Sequence, residues 1–435
     1  MENVDTLICA AHVIPVEPRA ALARHAVAVR DGRIVALAPV DEALARFAAR
    51  EVVRLERHVL FPGLVNLHCH AAMSLLRGLA DDRRLMEWLE KHIWPAEARH
   101  VSDEFVHDGS LLAMAEMLRA GVTCVNDMYF FPEATARAAL RAGMRAALGI
   151  IAVEFPSAYA ADPQEYLEKG LATRDAYRGE PLLAFCLAPH APYTVGDETM
   201  KRIAVLSEEL DVPIHTHVHE TVAEIEQGLA RNGVRPVERL RRLGIVGPRL
   251  VAVHCVHLAD AEIDLFAREN VSVAHCPSSN MKLASGIAPV AVLRSRGVRV
   301  GVGTDGAASN NRLDVLTEMR NAALLAKVTS GDASELGALE AIEMATLAGA
   351  RALGLEDRIG SIVPGKSADL AALELDSVET LPCFDAASHL VYAAGREHVT
   401  HVWVEGKPRL AERRLQGLDE QDLRDRATWW QGRIA

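Results

Sequence analysis

The chain has 435 residues, 50% of them hydrophobic and 24% charged, a composition typical of a globular protein with one large domain and a smaller one. The net charge of −12, without any Lys/Arg block, argues against a nucleic-acid-binding surface. No apolar run reaches transmembrane length, the N-terminus lacks a basic signal-peptide start, and the seven cysteines include no C-x-x-C pair, so we expect a cytoplasmic protein without a membrane segment.

The N-terminal segment has the pattern of a β-hairpin. Residues 25–30 and 33–37 are rich in valine, isoleucine and alanine. They flank Asp31-Gly32, a dipeptide that favours the tight turn between two antiparallel strands. We therefore predict short strands at the start of the chain.

Similar short strands are predicted near the C-terminus, at 368–375 and 399–404. The two ends of the chain therefore have matching patterns and can pair with each other. We predict that 1–58 and 360–435 form one discontinuous small β-sandwich domain that ends in a C-terminal helix. Residues 59–359 then form the large domain.

The large domain begins with an apolar run, Leu60-Phe-Pro-Gly-Leu-Val-Asn-Leu-His68-Cys-His70, which predicts one buried strand. Because side chains alternate along a strand, His68 and His70 project to the same side, where two imidazoles can bind one metal ion. His-x-His alone is a weak signal, since paired hydrogen-bonded histidines are common. The interpretation as a metal site depends on whether later strands also end in imidazole or carboxylate groups.

After an insertion at about 72–101, strand and helix patterns alternate as in a (β/α)8 TIM barrel, an α/β fold. Helices are predicted over 102–121, with Ser102 as N-cap, and over 132–142. A doubly wound open sheet is the competing fold, but no Gly-rich phosphate loop supports it. The predicted strands are 60–70, 122–128, 145–153, 182–187, 212–217, 250–254, 271–275 and 298–305.

Polar side chains stand at the ends of these strands, which meet at one mouth of such a barrel. They are His68, His70, His190, His217, His254, His275 and Asp305. From this set we choose three imidazoles and one carboxylate as metal ligands, a combination that suits zinc, with iron as the alternative. The chosen ligands are His68, His70, His217 and Asp305.

The fourth strand and its end, 181–190, contain no lysine that could be carbamylated to bridge a second ion. We therefore predict one metal ion per subunit. Such an ion lowers the pKa of its bound water from 15.7 to about 7, which makes a nucleophile available at neutral pH.

Two further side chains are candidates for catalysis. Glu220 follows His217 by three residues, so its carboxyl group can move protons between water, substrate and leaving group, although an acid at the start of a helix over 221–231 is the alternative reading. His254 can hydrogen-bond the attacking water or the oxygen formed from it.

The remaining histidines near these strand ends are less specific. His215 and His219 are interpreted as core residues with satisfied hydrogen bonds, and the role of His275 is left open between supporting the site and filling the barrel.

Several motifs resemble the amidohydrolase superfamily, in its single-metal, cytosine-deaminase-like branch, and more narrowly the 5-methylthioadenosine/S-adenosylhomocysteine deaminase family. The resemblance covers nearly the whole chain. His-x-His is shared across the superfamily, whereas the Trp-Pro-x-Glu and Thr-Asp-Gly-Ala-Ala-Ser-Asn-Asn runs are much narrower. The motifs lie at 62–78, 86–97, 188–193, 254–257 and 303–311.

The resemblance implies hydrolytic deamination of 5′-methylthioadenosine, S-adenosylhomocysteine or adenosine, and it implies the same metal ligands. It places Glu97, His190, Glu220, Asp305 and Ser309 at the substrate, with Glu97 on the ribose hydroxyls. It implies that Glu220 protonates the ring nitrogen beside C6 and that Asp305 accepts a proton from the attacking water.

One departure from the family bears on specificity. Some members carry arginines just after the third strand that meet the carboxylate of a homocysteine tail, whereas 150–159 here contain no arginine and one acid. We therefore predict a preference for 5′-methylthioadenosine. The apolar residues of the insertion are expected mostly to pack on the barrel, with Met73 or Leu76 as a candidate for an apolar wall around the methylthio group.

Two other functions remain open. One is a related aminohydrolase acting on guanine, a pterin or a triazine. The other is a catalytically inactive barrel used as a binding scaffold, although the presence of all four predicted ligands disfavours it. We expect a homo-oligomer, a dimer or tetramer, since dimers are common in the superfamily.

Overall fold

The computed structural model describes residues 1–83 and 85–435; residue 84, in the predicted insertion 72–101, lies outside the described residues. The strands of the described part are β1 Glu2–Val13, β2 Leu22–Arg30, β3 Arg33–Pro39, β4 Phe47–Pro62, β5 Leu64–Cys69, β6 Val122–Asp127, β7 Arg145–Ala152, β8 Leu183–Pro189, β9 Ile214–Val218, β10 Leu250–His254, β11 Ser272–His275, β12 Arg299–Val302, β13 Leu370–Glu374, β14 Val399–Val404, β15 Lys407–Ala411 and β16 Arg414–Leu415.

Helices alternate with the central strands. The α-helices described are α1 Val40–Arg46, α2 Leu85–Trp88, α3 Trp94–His100, α4 Asp103–Arg119, α5 Pro132–Ala142, α6 Pro163–Ala176, α7 Asp197–Leu210, α8 Val222–Asn232, α9 Pro236–Arg242, α10 Asp260–Arg268, α11 Pro277–Lys282, α12 Val290–Ser295, α13 Val315–Ser330, α14 Ala338–Met344, α15 Leu347–Ala352, α16 Ala386–Ser388 and α17 Glu420–Ile434. Short 3-10 helices cover Ala71–Leu76 and Arg396–His398, and π-helical turns cover Leu89–Ile93 and His389–Ala393.

Strands β5 to β12 form a parallel barrel in sequence order, which confirms the predicted (β/α)8 fold. The barrel closes between β12 and β5, where the backbone N–H groups of Thr304 and Asp305 donate to the carbonyl oxygen of His68 at 3.1 and 3.0 Å. Asn66 strengthens this seam: its side chain accepts from the Thr304 N–H at 2.9 Å and donates to the Thr304 hydroxyl at 2.8 Å. The seam thus fixes Asp305 beside the strand that carries His68.

The terminal segments form one eight-stranded sheet, in the order β16-β15-β14-β13-β4-β1-β2-β3, with the predicted hairpin between β2 and β3. The sheet curls back on itself, because Arg33 in its edge strand β3 forms an antiparallel bridge to Ser367, just before β13. Apolar residues from both halves therefore share one core, as in a sandwich. The boundaries 58/59 and 359/360 between the two domains stay a prediction.

The prediction of a single strand over 60–70 was wrong, because the run contains two strands that belong to different sheets. Strand β4 ends at Pro62 in the terminal sheet, and β5 starts at Leu64 in the barrel. Gly63 separates them at a point of very close packing: a Cβ there would lie 2.1 Å from the Thr123 hydroxyl oxygen. The chain can pass between the two sheets here only without a side chain.

The insertion before α4 supplies one wall of the barrel mouth. Its helical turns pack through Leu76, Trp88 and Ile93 into an apolar cluster that also contains Phe105 of α4. Helix α4 begins where predicted, since the Ser102 hydroxyl accepts from the Phe105 N–H at 3.2 Å. Among the described residues, no helix is both long and apolar enough to span a membrane.

Candidate active site

Four predicted ligands from three separate parts of the chain meet at the C-terminal mouth of the barrel. One ligand-type atom from each of His68, His70, His217 and Asp305 lies within 4.8 Å of all the others. The Nε2 atom of His68 lies 3.3 Å from Nε2 of His217 and 3.2 Å from Oδ1 of Asp305. His70 Nε2 lies 3.3 Å from the same oxygen. The barrel therefore brings together the chosen set of donor atoms.

The Nδ1 atoms of two predicted ligands are fixed by backbone carbonyl groups. Nδ1 of His70 lies 2.6 Å from the carbonyl oxygen of Met128, and Nδ1 of His217 lies 2.6 Å from that of His190. A carbonyl oxygen only accepts, so each Nδ1 carries a hydrogen and each Nε2 presents a lone pair to the cluster. This arrangement is the usual one for metal-binding histidines.

His68 is oriented by another histidine. Its Nδ1 lies 2.9 Å from Nε2 of His215, one layer deeper in the barrel. Burial lowers the pKa of His68 to about 4, so the ring is neutral at physiological pH. His215 was predicted to be a core residue with satisfied hydrogen bonds. It is fully buried, but its Nδ1 has no partner among the described residues and its Nε2 contacts the predicted ligand His68.

These contacts test whether a metal ion fits. The Nε2 atom of His68 lies 3.3 Å from Nε2 of His217 and 3.2 Å from Oδ1 of Asp305, so nitrogen and oxygen donors converge on one point. Three imidazole nitrogens and one carboxylate oxygen form a donor set suited to a divalent ion. The residues present therefore fit a single divalent metal ion.

Asp305 is held in an unusual backbone conformation by several hydrogen bonds. Its φ of 62° lies in the left-handed region, which costs about 1–3 kcal/mol for a residue other than glycine. Oδ1 accepts from the Gly306 N–H at 2.8 Å, while Oδ2 accepts from the hydroxyls of Ser279 at 2.6 Å and Ser309 at 2.7 Å. One oxygen thus faces the histidines and the other is occupied by serines.

Glu220 and His254 lie beside this cluster. Glu220 Oε2 is 3.8 Å from His254 Nε2, and Glu220 Oε1 accepts from the Ser285 hydroxyl at 3.3 Å. Burial raises the pKa of Glu220. Nδ1 of His254 lies 2.8 Å from Oδ1 of Asn280 and donates to it, so Nε2 is directed toward the cavity as an acceptor.

Another carboxylate fixes the backbone of the catalytic candidate. Thr221, not Glu220, is the N-cap of α8, and Glu224 in its first turn accepts from the backbone N–H groups of His219 at 3.0 Å and Glu220 at 2.9 Å. Glu220 therefore lies before the helix and is free of the helix-capping role. His219 accepts from the Val237 N–H at 3.3 Å and is a core residue, as expected.

Glu97 reaches the same cavity from the insertion. Its Oε1 accepts from the Tyr129 hydroxyl at 2.6 Å. Burial raises its pKa to about 6, against the opposing effects of the Tyr129 hydrogen bond and the nearby His70 ring. His190 lines the cavity with Glu97, and its Nδ1 lies 3.0 Å from the Thr194 hydroxyl.

The rest of the cavity wall is apolar and carries no basic side chain among the described residues other than histidine. Trp94 and Phe155 line it as a pair, with ring centroids 6.2 Å apart. Met73 also lines it, close to Gly306 and His70, whereas Leu76 is buried in the packing of the insertion. A ligand in this cavity therefore meets acids and histidines at one end and aromatic rings elsewhere.

Sequence reasoning missed several side chains that hold the site together. Ser279 and Asn280 follow the end of β11, and Tyr129 follows β6 by two residues, so polar groups just past strand ends were the available signal. His275 is buried, and neither of its ring nitrogens has a hydrogen-bond partner in the described structure. Its role stays open.

Comparison with known proteins agrees with this geometry. The profile of the amidohydrolase family matches residues 59–409. Curated proteins named 5-methylthioadenosine/S-adenosylhomocysteine deaminase are similar over nearly their whole lengths: one from Saccharophagus degradans is 46% identical, covering 99% of this chain and 97% of that protein, and one from Teredinibacter turnerae is 45% identical, covering 99% and 98%.

Among solved structures, a zinc-bound adenosine deaminase from Xanthomonas campestris superimposes with a TM-score of 0.98 at 49% identity, covering 100% of this chain and 99% of that one. A family match across most of the chain and full-length relatives above 40% identity establish common ancestry with this family. The chain belongs to the amidohydrolase family.

Proposed function

We propose that this protein catalyses the hydrolytic deamination of 5′-methylthioadenosine and related 6-aminopurine nucleosides, releasing ammonia and the inosine analogue. The observation that carries the proposal is the placement of buried Glu220 beside the metal-ligand cluster, with Glu97 facing the same cavity. The deaminase names of the full-length relatives support the same reaction.

We assign the ligands as His68, His70, His217 and Asp305 and the resident ion as zinc, one per subunit, with iron as the alternative. Imidazole nitrogens with a carboxylate are a usual zinc donor set, and the similar deaminase from Xanthomonas campestris was solved with zinc. When bound, the ion supplies a water that is nucleophilic at neutral pH.

The acid and base roles follow from the contacts of each group. Glu220, whose pKa is raised by burial, carries a proton to the ring nitrogen beside C6, which makes that carbon electrophilic. His254 offers Nε2 as an acceptor that orients the attacking water, and Asp305 accepts one of its protons. The C6–O bond forms and the C6–N bond breaks. One water proton leaves with the ammonia, and the other replaces the proton that Glu220 gave.

The substrate's sugar is proposed to bind at Glu97. Its half-buried carboxylate lines the cavity, has one oxygen held by Tyr129, and can accept hydrogen bonds from the ribose hydroxyls with the other. Trp94 precedes Glu97 by three residues on α3, so both side chains lie on one face of that helix. Trp94 and Phe155 are then suited to cover the methylthio group. We propose that His190 and Ser309 also contact the substrate.

The cavity favours a neutral 5′ group. Phe155 occupies the region after β7, and Glu154 turns its carboxylate to the Gly196 N–H at 2.8 Å and the Thr199 hydroxyl at 2.8 Å. A homocysteine carboxylate would therefore meet the ring of Phe155 and no described guanidinium or ammonium group. We propose a preference for 5′-methylthioadenosine over S-adenosylhomocysteine.

The test is ultraviolet monitoring of the purified, metal-assayed protein with methylthioadenosine, S-adenosylhomocysteine, adenosine and guanine in parallel, adding a pterin and a triazine. We expect conversion of the adenosine compounds, with methylthioadenosine the best. Turnover of guanine, the pterin or the triazine alone would indicate the related aminohydrolase. No ammonia from any compound with a full metal complement would indicate a binding scaffold.

We also propose a homo-oligomer, dimer or tetramer, to be measured by light scattering on a sizing column. A cytoplasmic location is proposed because all seven cysteines are free, which fits a reducing compartment.

A further inference from the structure

A buried glutamate outside the cavity connects the two loops that hold Asp305. Glu318, in the first turn of α13, is 0% exposed. Its Oε2 accepts from the backbone N–H of Ser278 at 2.9 Å, and its Oε1 accepts from Nδ2 of Asn310 at 2.8 Å. No salt bridge to it is present within the described residues, so its hydrogen bonds account for its burial.

The first loop leads from Glu318 to the outer oxygen of Asp305. Ser278 lies at the start of α11, and its neighbour Ser279 donates its hydroxyl to Asp305 Oδ2 at 2.6 Å. Fixing the Ser278 backbone therefore fixes the position from which Ser279 donates. Asn321, also on α13, donates to the Ser278 hydroxyl at 3.0 Å, so Ser278 has a second hydrogen bond to this helix.

The second loop reaches Asp305 from the other side. The Asn310 side-chain amide donates one hydrogen to Glu318 and the other to the carbonyl oxygen of Thr304 at 2.8 Å. Thr304 is joined directly to Asp305, and Asn310 follows Ser309, the second hydroxyl on Asp305 Oδ2. Glu318 is therefore the common acceptor for both loops.

We propose that Glu318 is a positioning residue for the metal site: by holding Ser278 and Asn310, it keeps Asp305 turned so that Oδ1 faces the histidines. Asp305 has a positive φ that is unfavourable in isolation, so its orientation has to be imposed by its surroundings. The inference rests on the metal site assigned above but not on the identity of the substrate.

The geometry indicates which substitution is most informative. In Glu318→Gln, an NH2 group replaces one acceptor oxygen. This donor then faces another donor, either the Ser278 N–H or the Asn310 amide. An amide flip of Asn310 cannot compensate, because its second amide hydrogen is donated to the carbonyl oxygen of Thr304. The side chain keeps its size, so the change removes one hydrogen bond without leaving a cavity.

The experiment follows loss of metal from the purified holoenzyme to excess chelator, without substrate. Direct hydrogen-bond partners of metal ligands typically contribute about 10–100-fold to metal affinity or activity. Glu318 acts one contact further out, so we expect Glu318→Gln to lose metal several-fold faster, up to about 10-fold. The matched control is Glu262→Gln, which alters a buried carboxylate on α10 that binds Arg235 and the Ala259 N–H. This control should lose metal at the wild-type rate.

Metal loss at the wild-type rate in Glu318→Gln would overturn the inference, and so would equal acceleration in both variants, which would indicate general destabilisation. If Glu318→Gln does not fold, Asn310→Ala is measured instead: it removes the hydrogen bonds from Asn310 to Glu318 and to Thr304 but keeps the one from Ser278 to Glu318, and faster metal loss is again expected. A preparation inactive on every aminopurine that still shows this difference would refute the proposed function and leave the positioning role intact.

Discussion

Replacing Tyr129 by phenylalanine tests how the sugar end of the cavity is built. The hydroxyl of Tyr129 donates to Oε1 of Glu97 at 2.6 Å, the length of a charge-assisted hydrogen bond. Tyr129 is buried and Glu97 is half-buried at the cavity wall, so water can replace this bond only in part. Loss of this hydrogen bond should destabilise the ionised form of Glu97 more than the protonated form and so raise its pKa.

The size of the expected pKa shift of Glu97 follows from that hydrogen bond. A hydrogen bond to a charged group contributes about 1.5–3 kcal/mol, and about 1.4 kcal/mol corresponds to one pKa unit. The pKa of Glu97, about 6 in the native protein because of burial, should therefore rise by about 1–2 units in Tyr129→Phe. Glu97 is ionised above its pKa, so binding that needs its carboxylate is present at high pH and is lost as the pH falls. The neighbouring His70 ring is unchanged by the substitution.

The assay is the pH dependence of kcat/KM for 5′-methylthioadenosine, which reports on the free enzyme. The acid limb should move from near pH 6 in the native protein to about 7–8 in Tyr129→Phe, with KM at pH 7 raised and kcat changed little. Tyr159→Phe is the control, because its buried hydroxyl has no hydrogen-bond partner in the described structure. An acid limb that stays in place in Tyr129→Phe, or moves equally in both variants, would refute the assignment of Glu97.

Three further outcomes are expected. Glu220→Gln should lower kcat by about 10²–10⁴-fold at an unchanged metal content measured by atomic absorption, because it removes a proton donor and no ligand; near-native kcat would contradict its role. His68→Ala should be purified with little metal and no deaminase activity, whereas a scaffold would keep its function and melting temperature. Phe155→Arg should raise kcat/KM for S-adenosylhomocysteine relative to 5′-methylthioadenosine, because it places a guanidinium at the aromatic wall; an unchanged ratio would argue against the proposed 5′ end of the cavity.

Much of the fold was predictable because its signals are local. Alternating strand and helix patterns gave the barrel, and Asp31-Gly32 gave the first hairpin. The error at 60–70 arose because an apolar run looks the same whether it forms one strand or two. Only the close approach of Thr123 to Gly63 reveals the division, and that contact joins residues far apart in the chain.

The sequence by itself determined which residue types end each barrel strand, since alternation and turn chemistry act over a few residues. It therefore indicated His68, His217 and Asp305 as partners before any contact was known. Only the tertiary structure decided their orientation. Several partners that fix these groups, such as His215 for His68 and Ser279 for Asp305, come from distant segments. Hydrogen bonds between distant segments depend on how the barrel closes and not on any local pattern.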